Sequence, residues 1–278
     1  MNQELGKRIP LEGTINTRDL GGYETIDHHH IRYQRLIRTD ALYKITKKDE
    51  AYLHDVLHAR YDVDFRGKKE ASELPDKEIE GCKYLFLPIQ EDLNESLPLH
   101  PHQPFIIDKP DVKETVEYLF RVSPDGDITK AFEKNYKTFL APYGQKQYSR
   151  FLHLCKDNKE GSILFHCADG KDRAGTGATL LLEALGVDRE TIFADYLKTN
   201  EYTKGKAEAR VKYLREECGI RDAKVLASIG YIAGVRRNWL EAIFSILDSY
   251  PGGSRQYFKE KLAFKEEDIK ELRENYLE

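Results

Sequence analysis

A long apolar run, closely paired cysteines and a strong net charge are all missing from this chain of 278 residues. Residues 1–12 carry Glu4, Lys7, Arg8 and Glu12 and no continuous apolar core, so neither a signal peptide nor a transmembrane helix is visible. The four cysteines, Cys82, Cys155, Cys167 and Cys218, lack metal-site spacing and suit a reducing compartment. A cytoplasmic location without stable membrane insertion is the expectation, with secretion and oligomeric state left open. The net charge of −4 and pI near 6.2 give no general attraction to nucleic acid or to an anionic membrane, so any affinity for anions must be local. Repeats, low-complexity tracts and linkers are absent too. At 40% hydrophobic and 33% charged residues the chain can bury a sizeable core, and we read residues 1–278 as one elaborated domain.

What is present is one dense stretch, His166-Cys-Ala-Asp-Gly-Lys-Asp-Arg-Ala-Gly-Thr-Gly177. It lies between the apolar run Ile163, Leu164, Phe165 and a helix-like segment from Gly175 to Leu185. A buried strand ending near His166, a sharp loop from Cys167 to Arg173 and a helix behind it aim unpaired N–H groups into the loop, which makes an oxyanion cradle without a metal. A helix N-terminus and a fixed cation favour the thiolate of Cys167, the form that attacks. The planar fork of Arg173 suits two equatorial oxygens of a phosphoryl group. The phosphate-binding set is Ala168, Asp169, Gly170, Lys171, Asp172 and Arg173. The bland alternative is a buried structural cysteine beside a surface arginine.

This loop resembles the signature of the cysteine-dependent protein tyrosine phosphatase superfamily, in which His-Cys, five residues and Arg precede a helix. Asn16-Thr-Arg-Asp-Leu-Gly-Gly-Tyr23, Arg38-Thr-Asp-Ala-Leu42 and Asp64-Phe-Arg66 follow in an order that is similar to the bacterial atypical, triple-specificity type of phosphatase. The likeness continues through Gly186 to Tyr202 and departs from the usual form at Thr17, Thr39 and Phe65. It implies hydrolysis of phosphotyrosine, phosphoserine/threonine and phosphoinositides through a phosphocysteine intermediate, with no cofactor. Phosphorylated proteins or inositol phosphates are the implied partners. Bland readings exist for the N-terminal segments: Arg18 and Asp19 can pair with each other or cap the Gly21-Gly22 turn, and Arg38 and Asp40 can brace the fold.

Two residues qualify as the acid that protonates the leaving group. Asp92, after the run Lys83 to Ile89, can reach the pocket on a separate loop. Asp172 matches the Gly-Lys-Asp-Arg form of the bacterial family and, with Asp169, the loop of myotubularin lipid phosphatases; it is preferred. Lys171 adds charge at the loop rim for a second phosphate, or merely balances Asp169 and Asp172. Ala174 stands where the superfamily usually has a serine or threonine that assists thiolate departure, and Thr176 is a poor substitute. The rival functions are an inositol polyphosphatase, a non-catalytic pseudophosphatase that binds phosphorylated ligands, and a rhodanese-type sulfurtransferase.

Tyr61 to Phe65, Lys83 to Ile89 and Ser162 to His166 read as central strands, and Lys47 to His58 and Gly144 to Lys156 as helices, so the expected fold is α/β with a mostly parallel sheet flanked by helices. Ligands of such sheets gather at the carboxyl ends of strands, where Cys167 lies. An insertion at about 91–143 begins with a proline-rich loop (Pro98, Pro101, Pro104, Pro110) and continues with two amphipathic helices, through Val112 to Phe120 and Phe132 to Leu140. It is either an extra packing layer or a lid. Glu190 to Lys198, Lys206 to Glu217, Arg237 to Tyr250 and Glu266 to Tyr276 complete the helices. His28-His29-His30 cannot all reach one ion from regular structure and read as a solvated turn, so no metal is expected.

Overall fold

Five short strands make one sheet in the computed structural model, which describes residues 5–90 and 128–278. They are β1 (Arg18–Asp19), β2 (Leu36–Asp40), β3 (Ala59–Asp64), β4 (Lys83–Phe86) and β5 (Ser162–Cys167), in the order β1-β2-β5-β3-β4. All neighbours run parallel except β1, which is antiparallel to β2. Central β5 is buried along its whole length, as a continuous apolar run in a parallel sheet should be.

The two-residue alternation of a strand sends successive side chains to opposite faces. Leu36, Val63, Ile163 and Phe165 face the larger core, where Phe151 stacks edge-on against Phe65 at 5.2 Å and tilted against Phe165 at 5.1 Å. Ile37, Ala59 and Leu164 face a smaller core closed by Leu42, Leu53 and Leu57. Burying each large apolar side chain contributes about 1.5–3 kcal/mol. The three expected strands are present, with β4 ending at Phe86 and not at Ile89, but β2 was not foreseen as a strand.

Helices α1 (Lys47–Asp55) and α2 (Lys68–Glu73) precede β4; α3 (Ile128–Thr138) and α4 (Pro142–Asp157) precede β5. The capping box of Thr46 and Asp49 starts α1. After β5 come α5 (Arg173–Leu185), α6 (Arg189–Glu216), α7 (Ala223–Ala233), α8 (Arg237–Asp248), α9 (Gly253–Lys261) and α10 (Glu266–Tyr276). The two helices expected at 190–198 and 206–217 are one, because the joint holds no proline, Gly205 costs only about 1 kcal/mol, and buried Thr199 and Thr203 tie the joint to the core. No helix among the described residues is long and apolar enough to cross a membrane.

Of the segment expected as an insertion, α3 is described, and it packs on the core. Phe132 and Tyr136 lie against Trp239 of α8, each with ring centroids 5.5 Å away. The first expected helix, with Val112 to Phe120, lies outside the described residues, as does Asp92. His28 to His30 are exposed, in a turn closed by a bridge between Glu24 and His30.

Candidate active site

The loop that follows β5 is held from outside by its carbonyls. Ala168 O accepts from Ala41 N at 3.3 Å, Asp169 O from Asn16 Nδ2 at 2.9 Å, Gly170 O from Arg38 Nε at 2.9 Å and Lys171 O from Arg38 Nη2 at 2.9 Å. In a trans peptide the next N–H points opposite to the carbonyl. The N–H groups of Asp169, Gly170, Lys171 and Asp172 therefore turn to the concave side, with buried Cys167 at the floor. Gly170 makes the turn at φ +63°, and a Cβ there would meet Thr39 O at 2.4 Å. Behind the loop, a Cβ on Gly175 would press Arg38 and Tyr196 at 3.0 Å, so a glycine in the first turn of α5 lets the brace approach.

Arg38 carries the loop because it is itself pinned. Its Nη1 donates to Asp195 of α6 at 2.9 Å, and Arg18 Nε donates to the same carboxylate at 2.8 Å. Tyr23 O–H adds a bond to Asp195 at 3.1 Å. Burial alone would raise the Asp195 carboxyl, but the Arg18 and Arg38 guanidiniums override it and hold the group below the usual carboxylate range. Burial, aided by repulsion from Arg18, pushes Arg38 down to about 10, which leaves it charged at neutral pH. Arg18 thus pairs with Asp195 and not with Asp19, whose carboxylate instead caps the turn by accepting from Gly21 N at 2.8 Å. Asp40 accepts from the amides of Ile15 and Asn16, which fixes the segment that carries the Asn16 donor. The N-terminal polar residues Asn16, Arg18, Arg38 and Asp40 are scaffold under the loop.

Arg173 is clamped by a residue that sequence reasoning did not find. Its Nη1 and Nη2 donate to the two carboxylate oxygens of Glu70, on α2, at 2.5 and 2.9 Å. Burial would pull the guanidinium down, and Glu70 more than reverses that, so Arg173 is held above its ordinary value. Tyr148 O–H donates to Arg173 O at 2.8 Å. Among the described residues the Arg173 Nε–H is buried without a hydrogen-bond partner. Such an orphaned donor costs about 1–3 kcal/mol unless an acceptor arrives.

The other loop side chains face different ways. Asp172 accepts a very short hydrogen bond from Tyr136 O–H, and Tyr136 and Tyr196 share another at 2.6 Å. Its second oxygen lies 3.7 Å from Lys171 Nζ. Lys171 is buried, with Nζ donating to Gly234 O at 3.2 Å, and so does not project at the rim as expected. Asp169 pairs with Lys206 and lies 3.8 Å from Arg210; burial would raise it, and these cations hold it below the usual range. Ala174 is fully buried, and Thr176 Oγ1 donates to Asp172 O at 3.2 Å, so that hydroxyl is already engaged. On the far face of the sheet, Asp62, Asp76 and His166 bring ligand atoms within 4.8 Å of one another.

Glu70, Tyr136 and Asp195 had no signal of their own. Glu70 sits among charged residues on a six-residue helix, and Asp195 was visible only as part of the matching stretch after Gly186.

The same assembly of loop, brace and helix sits within a chain that matches known proteins along most of its length. The model of the tyrosine phosphatase family matches residues 9–278. A Cupriavidus necator protein provisionally named a tyrosine-protein phosphatase is 27% identical over 271 residues, 97% of this chain and 88% of that one. A tyrosine-protein phosphatase of Nostoc commune is 27% identical over 131 residues, 47% of this chain and 44% of its own. The triple specificity protein phosphatase PtpB of Mycobacterium tuberculosis is 38% identical over 74 residues, 26% of each chain. With the family model spanning all but the first few residues, the chain belongs to the tyrosine phosphatase family.

Proposed function

We propose that the protein hydrolyses phosphomonoesters with the Cys167 thiolate as nucleophile, on phosphotyrosine and also on phosphoserine/threonine and phosphoinositides. The observation that carries this reading is Arg173: its outer nitrogens are locked by Glu70 while its buried Nε–H has no acceptor among the described residues. A phosphoryl group over Cys167 supplies that acceptor, and its remaining oxygens meet the N–H groups of Asp169 to Asp172.

Cys167 Sγ attacks phosphorus while the bond to the leaving oxygen breaks, and Asp172 gives that oxygen its proton. Tyr136 orients the Asp172 carboxyl through one oxygen, and Lys171 Nζ lies 3.7 Å from the other. Water then attacks the phosphocysteine, passes a proton to Asp172, and the P–S bond breaks to return the thiolate and inorganic phosphate. With Ala174 in place of a hydroxyl donor, the departing sulfur lacks one stabilising bond, so this second step is the slower. Lys206 and Arg210 lie beside Asp169, and half-buried Lys206 is the cation nearest the loop edge, where a further anionic group of a substrate would meet it.

A panel of phosphotyrosine and phosphoserine peptides, phosphoinositides and inositol hexakisphosphate, run on wild type and Cys167→Ser, tests the proposal. Turnover of the peptides and lipids by wild type alone is expected. Turnover restricted to inositol hexakisphosphate would identify an inositol polyphosphatase. Phosphopeptide binding without any turnover would make the protein a pseudophosphatase.

A further inference from the structure

His166 and Cys167 are consecutive on a strand, so their side chains leave opposite faces of the sheet. Cys167 faces the loop and the larger core. His166 faces β3, where Asp64 is its register partner and Asp62 lies two residues earlier on the same face. Asp76, from the segment after α2, closes the group.

The imidazole has a fixed polarity. His166 Nδ1 lies 3.1 Å from Cys167 O, and a carbonyl only accepts, so Nδ1 carries the proton. In the neutral ring Nε2 then presents its lone pair, 3.1 Å from Asp62 Oδ1 and 3.4 Å from Asp76 Oδ2. Among the described residues neither Nε2 nor Asp62 Oδ1 makes a well-aligned hydrogen bond, although both are buried and lie 3.1 Å apart. Without a metal, a proton on Nε2 faces the two carboxylates: burial disfavours the charged imidazole, but Asp76, Asp64 and Asp62 override it and hold the ring well above its ordinary range. With that proton displaced, three electron-rich atoms converge on one point, as the ligands of a metal ion do.

We propose that Asp62, Asp76 and His166 form a binding site for a divalent transition-metal ion, with zinc the best match, separate from the phosphate loop. In a tetrahedral zinc site with bonds of about 2.0–2.1 Å, adjacent ligand atoms lie roughly 3.3 Å apart, and the two observed separations bracket that value. The charge agrees as well. Asp62, Asp64 and Asp76 stand against the single guanidinium of Arg66, so a dication neutralises the group when the imidazole is neutral. Asp64 is occupied by Arg66 and Tyr84, which keeps it out of the ligand set. Asp76 is oriented by Leu42 N, 2.6 Å from its Oδ1, and by a short bond from Arg66 to Oδ2, the kind of outer partner that metal-binding carboxylates have. Asp62 and Asp76 also line a cavity of about 510 Å³ together with Cys82, which gives an entry path and room for a fourth ligand. Because His166 holds the Cys167 carbonyl, an ion here stiffens the strand end on which the nucleophile stands.

The test uses the full chain as Cys167→Ser, so that the loop thiolate cannot take the metal. After chelation and dialysis, the protein is exposed to zinc, passed over a desalting column and assayed for retained metal. About one zinc per chain is expected, with affinity weakened at least about 10- to 100-fold by Asp62→Asn in the same background, the loss that even outer partners of a ligand cause. No retained zinc, or equal retention in the Asp62→Asn protein, would overturn the proposal. Nitrogen-15 histidine spectra of the Cys167→Ser protein give a second readout that needs no further variant. Zinc should shift the Nε2 resonance of one buried ring; a response confined to exposed rings such as His28 to His30 would also overturn it.

Discussion

If Glu70 aims Arg173, then replacing it with glutamine should damage catalysis more than its distance from the sulfur suggests. The glutamate accepts two charge-assisted bonds, at 2.5 and 2.9 Å, in a buried setting. Glutamine keeps one acceptor oxygen and turns an NH₂ group toward a guanidinium N–H. One charge-assisted hydrogen bond is lost, worth about 1.5–3 kcal/mol. Carried fully into the transition state, that is about a 10- to 150-fold fall in kcat/KM, since each 1.36 kcal/mol is about tenfold. A counter-effect exists, because Glu70 also neutralises the cation that, on the proposed mechanism, grips the phosphoryl group. The clamp should still win: bidentate geometry fixes the plane of the fork, and only a fixed plane presents Nε–H to the phosphoryl oxygen. Steady-state kinetics with 4-nitrophenyl phosphate and a phosphotyrosine peptide give kcat/KM, and thermal unfolding shows whether the fold survives. A folded Glu70→Gln protein whose kcat/KM stays within about twofold of wild type would refute the positioning argument.

Three further substitutions probe the chemistry and its support. Asp172→Asn should lower kcat/KM on alkyl phosphates by about 10²- to 10⁴-fold and spare kcat/KM on 4-nitrophenyl phosphate, whose leaving group needs little protonation, while kcat falls on both because Asp172 also takes the proton of the attacking water; the opposite kcat/KM pattern, with Asp92→Asn inactive on alkyl phosphates, would move the acid to Asp92. Wild type should release a burst of 4-nitrophenolate at saturating substrate, and Ala174→Ser should shrink the burst and raise kcat by assisting thiolate departure; a missing burst in wild type would contradict the slow second step. Asp195→Asn should cost about 3–5 kcal/mol by leaving Arg18 and Arg38 buried and uncompensated. The Asp195 carboxyl is held below its ordinary value of 3.8, so its stabilisation is complete above that pH and fades as pH falls through the lower folded value. Urea midpoints should therefore drop more steeply toward pH 3 in wild type than in Asp195→Asn, and parallel profiles would count against this assignment.

The parts of the protein that were legible beforehand are local in sequence. The run before His166, the six-residue step from Cys167 to Arg173 and the periodicity of the helices each fit inside one short window. The partners that make the loop work do not. Glu70 lies 103 residues from Arg173, and Asp195 lies 157 from Arg38 and 177 from Arg18. A lone acidic residue on a helix looks the same whether it faces water or a buried guanidinium, and the solvated face is the ordinary case.

Strand β2 shows how this concealment works. Leu36-Ile37-Arg38-Thr39-Asp40 has two apolar residues and three polar ones, which reads as a strand end entering solvent, yet all five are buried. Burying Arg38 and Asp40 would be prohibitive if they faced apolar neighbours. They face instead the carbonyls of the loop and the amides of Ile15 and Asn16, groups that must be satisfied for the loop N–H donors to point inward. The polar half of β2 is thus hidden from periodicity for the same reason that it matters: a loop that turns its donors toward a ligand turns its acceptors toward the protein, and the strand beside it must carry donors where an ordinary core strand carries valine or leucine.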